Sequence, residues 1–439
     1  MLKVKTPTDA VRKAIIYQIH LRAFTKEGTL KAAEKYLDDV AATGADIVYL
    51  CPIVMSDDHP NKAYWSERQK RSGIDNPRNP YRQMDYFAID PEYGTEADVH
   101  SFIKAAHDRN LKVMFDLVYM HAGPTFGMKY PQYVKQNKDG TPKLNEYNFC
   151  TIDFDKPELR EYLWKNMLYF VEKFGIDAYR CDVGGAVPLD FWEEGVRRIK
   201  AIRPDFIMLN ENELPYRPED QVYAFDINYS LAFLQYAMQL IFAHEAPISV
   251  LENVWNKEHS KCEGGMVLRG IENHDTANDN YYGRVEKFSH EKCEAAYVLC
   301  YCLDGVPFLY NGCEYKDYAR HSIFSLKGTY CIDRSTDPAE RFAFFQKLAE
   351  LHRTEPALLY GNTEFLHHES MDDICAIART TEDGAQAICL VNLGRGTKTF
   401  THDILENYVG EKLVMRRGMT RCNNTIILEQ YGYAVLIKQ

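Results

Sequence analysis

Charged and polar side chains end several apolar, strand-like runs of this sequence. In the run 176–183, Arg180 and Asp182 stand two residues apart. Side chains alternate between the two faces of a strand, so both would point the same way. Other runs end in the same manner, with Asp116 and His121, with Glu211 and Glu213, and with His274 and Asp275. A single buried charge is usually structural, whereas carboxylates at the ends of several strands indicate a shared polar site.

Carboxylates gathered with an arginine and two histidines suit the hydrolysis of glycosidic bonds. That reaction uses one carboxylate as nucleophile and one protonated carboxyl as acid, around an oxocarbenium-like transition state. A metal-dependent hydrolase is the alternative, but histidines would then dominate, often as a His-x-His pair after the first strand. The first run supplies only His20, followed by Leu and Arg. The residues therefore favour glycoside chemistry.

These polar residues need strands whose ends meet, and the sequence predicts eight strands. The apolar runs are 15–24, 45–53, 112–121, 176–183, 205–213, 222–228, 265–275 and 305–315. Helix-period segments lie between them, which implies parallel pairing and closure into an α/β (β/α)8 TIM barrel with one shared mouth. The rival, an open doubly wound sheet, would need a glycine-rich turn after its first strand. The segment TKEGTLKAA at 25–33 has one glycine.

The segment 155–175 illustrates the predicted helices. Asp155 is placed to cap the helix, Pro157 suits the first turn, and Gly175 would end it. Four apolar residues follow helical spacing and should form the buried face: Leu159, Leu163, Phe170 and Phe174.

Two segments stand apart from the barrel, which we predict to span 1–121 and 156–358. Residues 122–155 form a short excursion after the third strand, on the side where barrel enzymes build their active sites. Residues 359–439 lose the helical period, and alternating strands flank an Asp383-Gly384 turn. The sequence therefore predicts a C-terminal antiparallel β-sandwich domain.

Composition limits the partners and the compartment. The 439 residues include 63 acidic and 52 basic side chains, a net charge of −11, which argues against nucleic acid and anionic membranes as partners. No apolar run is long enough for a membrane span or a signal peptide. Twelve cysteines without a C-x-x-C pair favour reduced thiols, so we expect a cytoplasmic protein. The sequence identifies no protein partner.

Short motifs stand at five of the predicted strands. They read DLVYMH at 116–121, AYRCDV at 178–183, IMLNE at 207–211, ENHDT at 272–276 and GVPFLYNGCE at 305–314, with NPYRQMDYFAIDPEYGT at 79–95 before the third unit. In this order they resemble the signatures of the α-amylase family of glycoside hydrolases, family 13 of clan H. Each motif alone is weak, whereas the ordered set is specific. The resemblance covers most of the barrel and, more loosely, the tail. It implies that residues 122–155 correspond to a short domain B, the insertion that the family carries after its third strand.

The resemblance implies a catalytic role for three carboxyl groups. Asp182 would be the nucleophile, Glu211 the general acid and then the base, and Asp275 the third carboxylate, which holds sugar hydroxyls. Arg180 would keep Asp182 ionised and oriented by its opposite charge. Glu213 shares a strand face with Glu211 and is the alternative acid.

Other residues would bind the sugar or support the site. By resemblance, Tyr81 stacks on the sugar, and His121 and His274 donate hydrogen bonds to its hydroxyls. Asp85 and Asp116 would orient loops by hydrogen bonding. Trp65 and the region 130–133 are candidate sugar platforms, with ordinary loop packing as the alternative.

The chain departs from the family pattern at Met120, where relatives often have an asparagine that binds a structural calcium ion. A thioether cannot replace that hard oxygen ligand. We therefore predict no metal site and no required cofactor.

The resemblance implies a retaining glycosidase that acts on α-linked gluco-oligosaccharides or maltodextrins. The segment VGGAVPLDFW at 183–192 is similar to the neopullulanase-like and oligosaccharide-acting branches. A transglycosylase or isomerase would use the same groups and differ in how well water is excluded. A non-catalytic sugar-binding relative is the third alternative, and such relatives typically lack the catalytic acids that this chain retains.

Overall fold

The structure, a computed structural model, describes residues 6–212, 224–261, 265–278, 283–408 and 412–438. Its strands are β1 (Ile16–Ile19), β2 (Ile47–Leu50), β3 (Lys112–Leu117), β4 (His121–Ala122), β5 (Cys150–Thr151), β6 (Ala178–Cys181), β7 (Ile207–Asn210), β8 (Ile227–Asn228), β9 (Met266–Arg269), β10 (Val306–Tyr310), β11 (Asn362–Phe365), β12 (Ile374–Thr380), β13 (Gln386–Asn392), β14 (Lys398–Thr401), β15 (Lys412–Cys422) and β16 (Thr425–Ile437).

The helices alternate with the first ten strands and continue to the start of the tail. They are α1 (Asp9–Arg12), α2 (Leu21–Phe24), α3 (Leu30–Ala33), α4 (Leu37–Ala42), α5 (Glu67–Arg71), α6 (Glu96–His107), α7 (Pro124–Lys129), α8 (Pro157–Phe174), α9 (Leu189–Ile202), α10 (Met238–His244), α11 (Val250–Lys261), α12 (His290–Cys302), α13 (Ala339–Thr354) and α14 (Pro356–Tyr360). A π-helical turn, Ala232–Ala237, leads into α10. Short 3₁₀ turns are Glu34–Tyr36, Lys62–Tyr64, Pro131–Tyr133, Gly184–Ala186, Val285–Lys287, Cys313–Tyr315 and Asp403–Tyr408.

Eight parallel strands close into a barrel in the order β1, β2, β3, β6, β7, β8, β9, β10 and back to β1. Each lies within one of the eight apolar runs, so the predicted barrel is confirmed, and the β1–β10 pairing excludes the open sheet. Side chains alternate between the inside and the outside of the barrel, so the apolar core has two parts. The residues that face the barrel interior include Ile16, Ile47, Met114, Ala178 and Leu268, and their neighbours pack outward against the helices.

Helix α8 shows why these segments are helical and where the cap prediction failed. The four apolar residues predicted for its buried face are all buried, and Gly175 ends the helix in the left-handed region, with φ 71°. The residue that caps its start is Lys156, which makes no side-chain capping bond. Asp155 lies one residue too early, because Pro157 already occupies the first helical position.

The excursion after β3 is a small hairpin rather than a continuation of the strand. Strand β3 ends at Leu117, and His121 belongs to β4, which pairs antiparallel with β5. His121 is therefore held by the excursion and not by the barrel strand to which the sequence pattern assigned it.

The C-terminal strands form one antiparallel sheet in the order β11, β12, β13, β16, β14, with β15 paired to β16. The turn at Gly384, φ 91°, joins β12 to β13 as predicted. One face packs on α12, and the other covers a separate apolar cluster that includes Phe400 and Leu405. In the described ranges, no helix combines the length and apolar character that a membrane span requires.

Candidate active site

One buried guanidinium lies at the centre of the barrel mouth. Nη1 of Arg180 is 2.7 Å from Oδ1 of Asp182 and 2.9 Å from Oδ1 of Asp116. Nη2 of Arg180 is 2.7 Å from Oε1 of Glu211. Arg180 is fully buried. Three carboxyl groups from three neighbouring strand ends therefore share one cation.

Strand register explains this meeting. Ala178 and Arg180 are two residues apart on β6 and face inward together, and Asp116 on β3 is the register partner of Arg180. Asp182 continues the same face one step beyond the end of β6. Because every second side chain of a strand faces inward, Arg180 and Asp182 point to the same side at the barrel mouth. The strand register brings Asp116 next to them.

The backbone turns sharply after Asp182. Val183 has φ 42° and ψ 36°, a left-handed conformation that is strained for a β-branched residue. This turn directs the N–H of Val183 to Oε2 of Glu211, at 2.7 Å. A Cβ on the next residue, Gly184, would overlap the side chain of Asn210, so glycine is needed there. The turn therefore links the candidate nucleophile directly to the candidate acid.

Burial and like charge govern the ionisation of this cluster. Burial raises the pKa of Glu211 against the opposing charge of Arg180, and the negative charge of Asp275 adds to the rise. Burial also raises the pKa of Asp182, and the charge of Glu211 adds to that rise. Such groups titrate together, so a proton on one lowers the pKa of the other. A proton on Glu211 favours the ionised form of Asp182 beside Arg180.

The third carboxylate has a different environment. Arg68, on α5, donates to Oδ1 of Asp275 at 2.5 Å and to its backbone carbonyl at 3.3 Å. Burial alone would raise the pKa of Asp275, but its neighbours His274 and Arg68 outweigh burial and hold the pKa below the ordinary value. Asp275 is therefore a permanently charged acceptor.

His274 is neutral and has a defined tautomer. Burial lowers its pKa to about 3. Its backbone N–H donates to Oε1 of Gln18, so the amide nitrogen of Gln18, 2.8 Å from Nδ1, must donate to the ring. The remaining proton is on Nε2, which is 3.5 Å from Oδ2 of Asp275. His274 can thus donate beside Asp275, as the hydroxyl-binding role requires.

His121 is also neutral, because burial lowers its pKa to about 4. Its Nε2 lies 2.8 Å from the carbonyl oxygen of Tyr81, which only accepts, so Nε2 carries the proton. Nδ1 is left to accept a hydrogen bond. This geometry does not supply the expected donor, since the ring's single N–H is already used.

Tyr81 connects the two sides of the site. Its hydroxyl donates to Oδ2 of Asp116 at 3.0 Å, and its ring stacks on His274 with centroids 5.1 Å apart. Asp116 also accepts from Tyr49 at 2.6 Å. Asp116 therefore orients Arg180 and Tyr81 together.

Asp85, Trp65 and the region 130–133 have surroundings of their own. Asp85 accepts from the backbone N–H groups of Phe87 and Ala88, so it shapes its own loop. Glu213 lies outside the described residues. Trp65 is buried, with 3 % exposed, and its carbonyl accepts from Asn148 of the excursion, so the expected exposed platform is wrong. Tyr130 and Tyr133 stack on each other within an aromatic cluster around Phe126.

Three residues were missed by sequence reasoning. Gln18 and Tyr49 face inward on β1 and β2, and a polar residue at an inward position of a strand is a signal that the sequence contains. Arg68 offers no such signal, because it lies on a loop helix whose place depends on tertiary contacts.

The calcium position of the family does not fit this chain. Met120 packs against the main apolar core. Within the described ranges, no group of three histidine, cysteine or acidic side chains is arranged to hold a metal ion.

Comparison with known proteins finds similarity to α-amylases. The family model described as the α-amylase catalytic domain matches residues 14–150. The α-amylase MalA of Haloarcula japonica is 26 % identical over 415 residues, which cover 89 % of this chain and 57 % of that protein. The maltogenic α-amylase of Bacillus acidopullulyticus is 25 % identical and is matched by 92 % of this chain over 70 % of its own length.

These comparisons show similarity to the α-amylase family of glycoside hydrolases, through the family model over residues 14–150 and the named relatives along most of the chain. The solved structure of a maltogenic α-amylase, AmyB, from Thermotoga neapolitana has the same fold, with a TM-score of 0.79, 23 % identity, and coverage of 97 % of this chain and 98 % of that one. The chain spans just over half the length of the first of these curated relatives.

Proposed function

We propose that this protein is a retaining α-glycosidase that acts on α-linked gluco-oligosaccharides or maltodextrins. The observation that carries the proposal is the bridging of Asp182 and Glu211 by one buried guanidinium. Retention needs a nucleophile and an acid close together, about 5–5.5 Å apart, and that separation is our prediction for these two carboxyl groups.

In the first step, Glu211 donates its proton to the glycosidic oxygen while Asp182 attacks the anomeric carbon. The bond to the leaving sugar breaks and a covalent glycosyl–Asp182 ester forms. The raised pKa of Glu211 favours the protonated form that this step requires. Arg180 faces both groups and stabilises the carboxylate form of Asp182.

In the second step, Glu211 accepts a proton from water as the water oxygen attacks the same carbon and releases Asp182. Two inversions give net retention of the α configuration. Attack by a sugar hydroxyl in place of water would give transfer, and the same groups serve both outcomes.

Several features support the substrate class and the compartment. The relative from Bacillus acidopullulyticus is named a maltogenic α-amylase. The neutral His274 and charged Asp275 offer a donor and an acceptor for sugar hydroxyls. Eleven cysteines of the described ranges are free thiols, nine of them buried, which supports action in a reducing cytoplasm. The chemistry above involves no cofactor.

The test is a time course with maltoheptaose, panose and pullulan, read by chromatography and by proton NMR of the newly formed anomer. The proposal predicts α-configured products. A 5-fluoroglycosyl fluoride should trap the ester on the peptide that contains Asp182, seen by mass spectrometry. Products of β configuration, or intact substrates at high protein concentration, would refute it.

A further inference from the structure

Arg68 occupies one side of the candidate sugar site. Its contacts with Asp275 leave the Arg68 side chain 25 % exposed, and the guanidinium carbon lies 5.8 Å above the ring of Phe324. Its Nε is buried and has no acceptor among the described residues. The partly exposed guanidinium of Arg68 therefore lies beside the carboxylate that is expected to hold the sugar.

Two long loops join behind Arg68. One runs from β2 to α6 and contains α5, and the other follows β10. The side-chain amide of Asn76 in the first loop donates to the carbonyl of Phe324 in the second, at 3.0 Å. Arg22 donates through one nitrogen to the carbonyl oxygens of Arg78 and Ile323, one from each loop.

An apolar cluster fills the seam between these loops. Tyr81 and Val118 pack there with Ile323 and Phe324, and Ile74 lies against them. The two joined loops, which we call the wall, therefore lie next to α2, the short helix that follows β1 and carries Arg22.

The wall limits where a glucan chain can extend. Asp275, by its expected role, holds the hydroxyls of the reacting ring on the side away from the scissile bond. The chain toward the non-reducing end continues from the 4-oxygen, next to those hydroxyls. Arg68 contacts Asp275 and lies over Phe324, so a preceding glucose residue would have to compete with them for the space beside Asp275.

We propose that Arg68 is a specificity-determining residue that closes the non-reducing side of the site, so that the protein releases glucosyl units from chain ends. The partly exposed guanidinium of Arg68 would donate to the free 4-hydroxyl that marks a chain end. This inference rests on the proposed glycosidase function and adds the position of cleavage to it.

The experiment uses maltoheptaose labelled at its reducing end with 2-aminopyridine, either free or blocked by a 4,6-ethylidene group at its non-reducing end. Wild-type protein should shorten the free substrate stepwise and cleave the blocked one at least about 100-fold more slowly. Arg68→Ala should lower that ratio to about tenfold or less by cleaving the blocked substrate internally. Arg71→Ala, an exposed arginine of the same helix, is the matched control and should keep the wild-type ratio.

Each result decides a different point. Equal wild-type rates on both substrates, with α-configured products, would overturn the role of Arg68 while leaving the glycosidase function intact. An Arg68→Ala protein that melts at the wild-type temperature and keeps the wild-type ratio would also overturn it. Failure of wild-type protein to cleave either substrate would overturn the proposed function and the inference with it.

Discussion

The two arginines that contact the candidate catalytic carboxyl groups differ in origin and in depth. Arg180 comes from a barrel strand, is fully buried and contacts three carboxyl groups. Arg68 comes from a loop helix, is partly exposed and contacts one. Burial raises the pKa of Asp182 and Glu211 near the first arginine, whereas the pKa of Asp275 near the second is lowered. The barrel thus sets the ionisation of the reacting groups, and the loops set which sugars reach them.

The largest effect should come from Asp182→Asn. An amide cannot form the glycosyl ester, so kcat on maltoheptaose should fall by about 10⁴-fold or more. The melting temperature should be unchanged or higher, because a buried charge is removed while Arg180 keeps two other partners. Asp108→Asn, which alters an exposed pair with Lys104 on α6, is the control and should keep full activity. A rate near wild type for Asp182→Asn would remove this residue as the nucleophile.

Glu211→Gln should lower kcat nearly as much, but only on substrates whose leaving group must be protonated. We expect a loss of about 10²–10⁴-fold on maltoheptaose and a much smaller loss on an α-glycosyl fluoride. The active acid is protonated, so wild-type activity falls as pH rises through the raised pKa of Glu211. That alkaline limb should vanish in the variant. Equal losses on both substrates would point instead to Glu213 or to a structural role.

Removal of each arginine should separate their structural contributions. Arg180→Met leaves three buried carboxyl groups without a cation and should cost about 3–5 kcal/mol in free energy of unfolding. Arg68→Met removes a partly exposed pair and should cost about 1 kcal/mol or less. Buried acids with a raised pKa bind protons more readily when folded, so the Arg180→Met protein should gain stability as pH falls from 7 toward 5. Urea denaturation at both pH values measures this, and equal costs for the two variants would contradict the comparison.

The smallest effect should follow removal of divalent cations. Because Met120 offers no hard oxygen ligand, EDTA should shift the melting temperature by less than about 1 °C. Differential scanning fluorimetry with and without added Ca²⁺ measures the shift. A drop of several degrees that Ca²⁺ reverses would show a calcium site that these residues do not explain.

The barrel and its deepest polar groups could be predicted because strand periodicity is local. A period of two places Arg180 and Asp182 on one face whatever surrounds them. Asp116 and Glu211 follow from the same rule on neighbouring strands. The eight apolar runs each contain one barrel strand for the same reason.

Loop residues could not be placed in this way. Arg68 reaches Asp275 across about two hundred positions of sequence, and only the joined loops bring them together. Trp65 was expected as an exposed sugar platform but is buried, and Asn148 of the excursion donates to its carbonyl. His121 was assigned to a strand that ends four residues earlier. In each case a tertiary contact, rather than a local preference, decides the position.

The left-handed backbone at Val183 has a consequence for the evolution of this protein. Such a conformation in a β-branched residue costs about 1–3 kcal/mol, which glycine would largely recover. A screen for heat resistance alone would therefore favour Val183→Gly. The same exchange would loosen the amide that holds Glu211 beside its neighbour, so thermal tolerance and turnover should trade against each other at this one position.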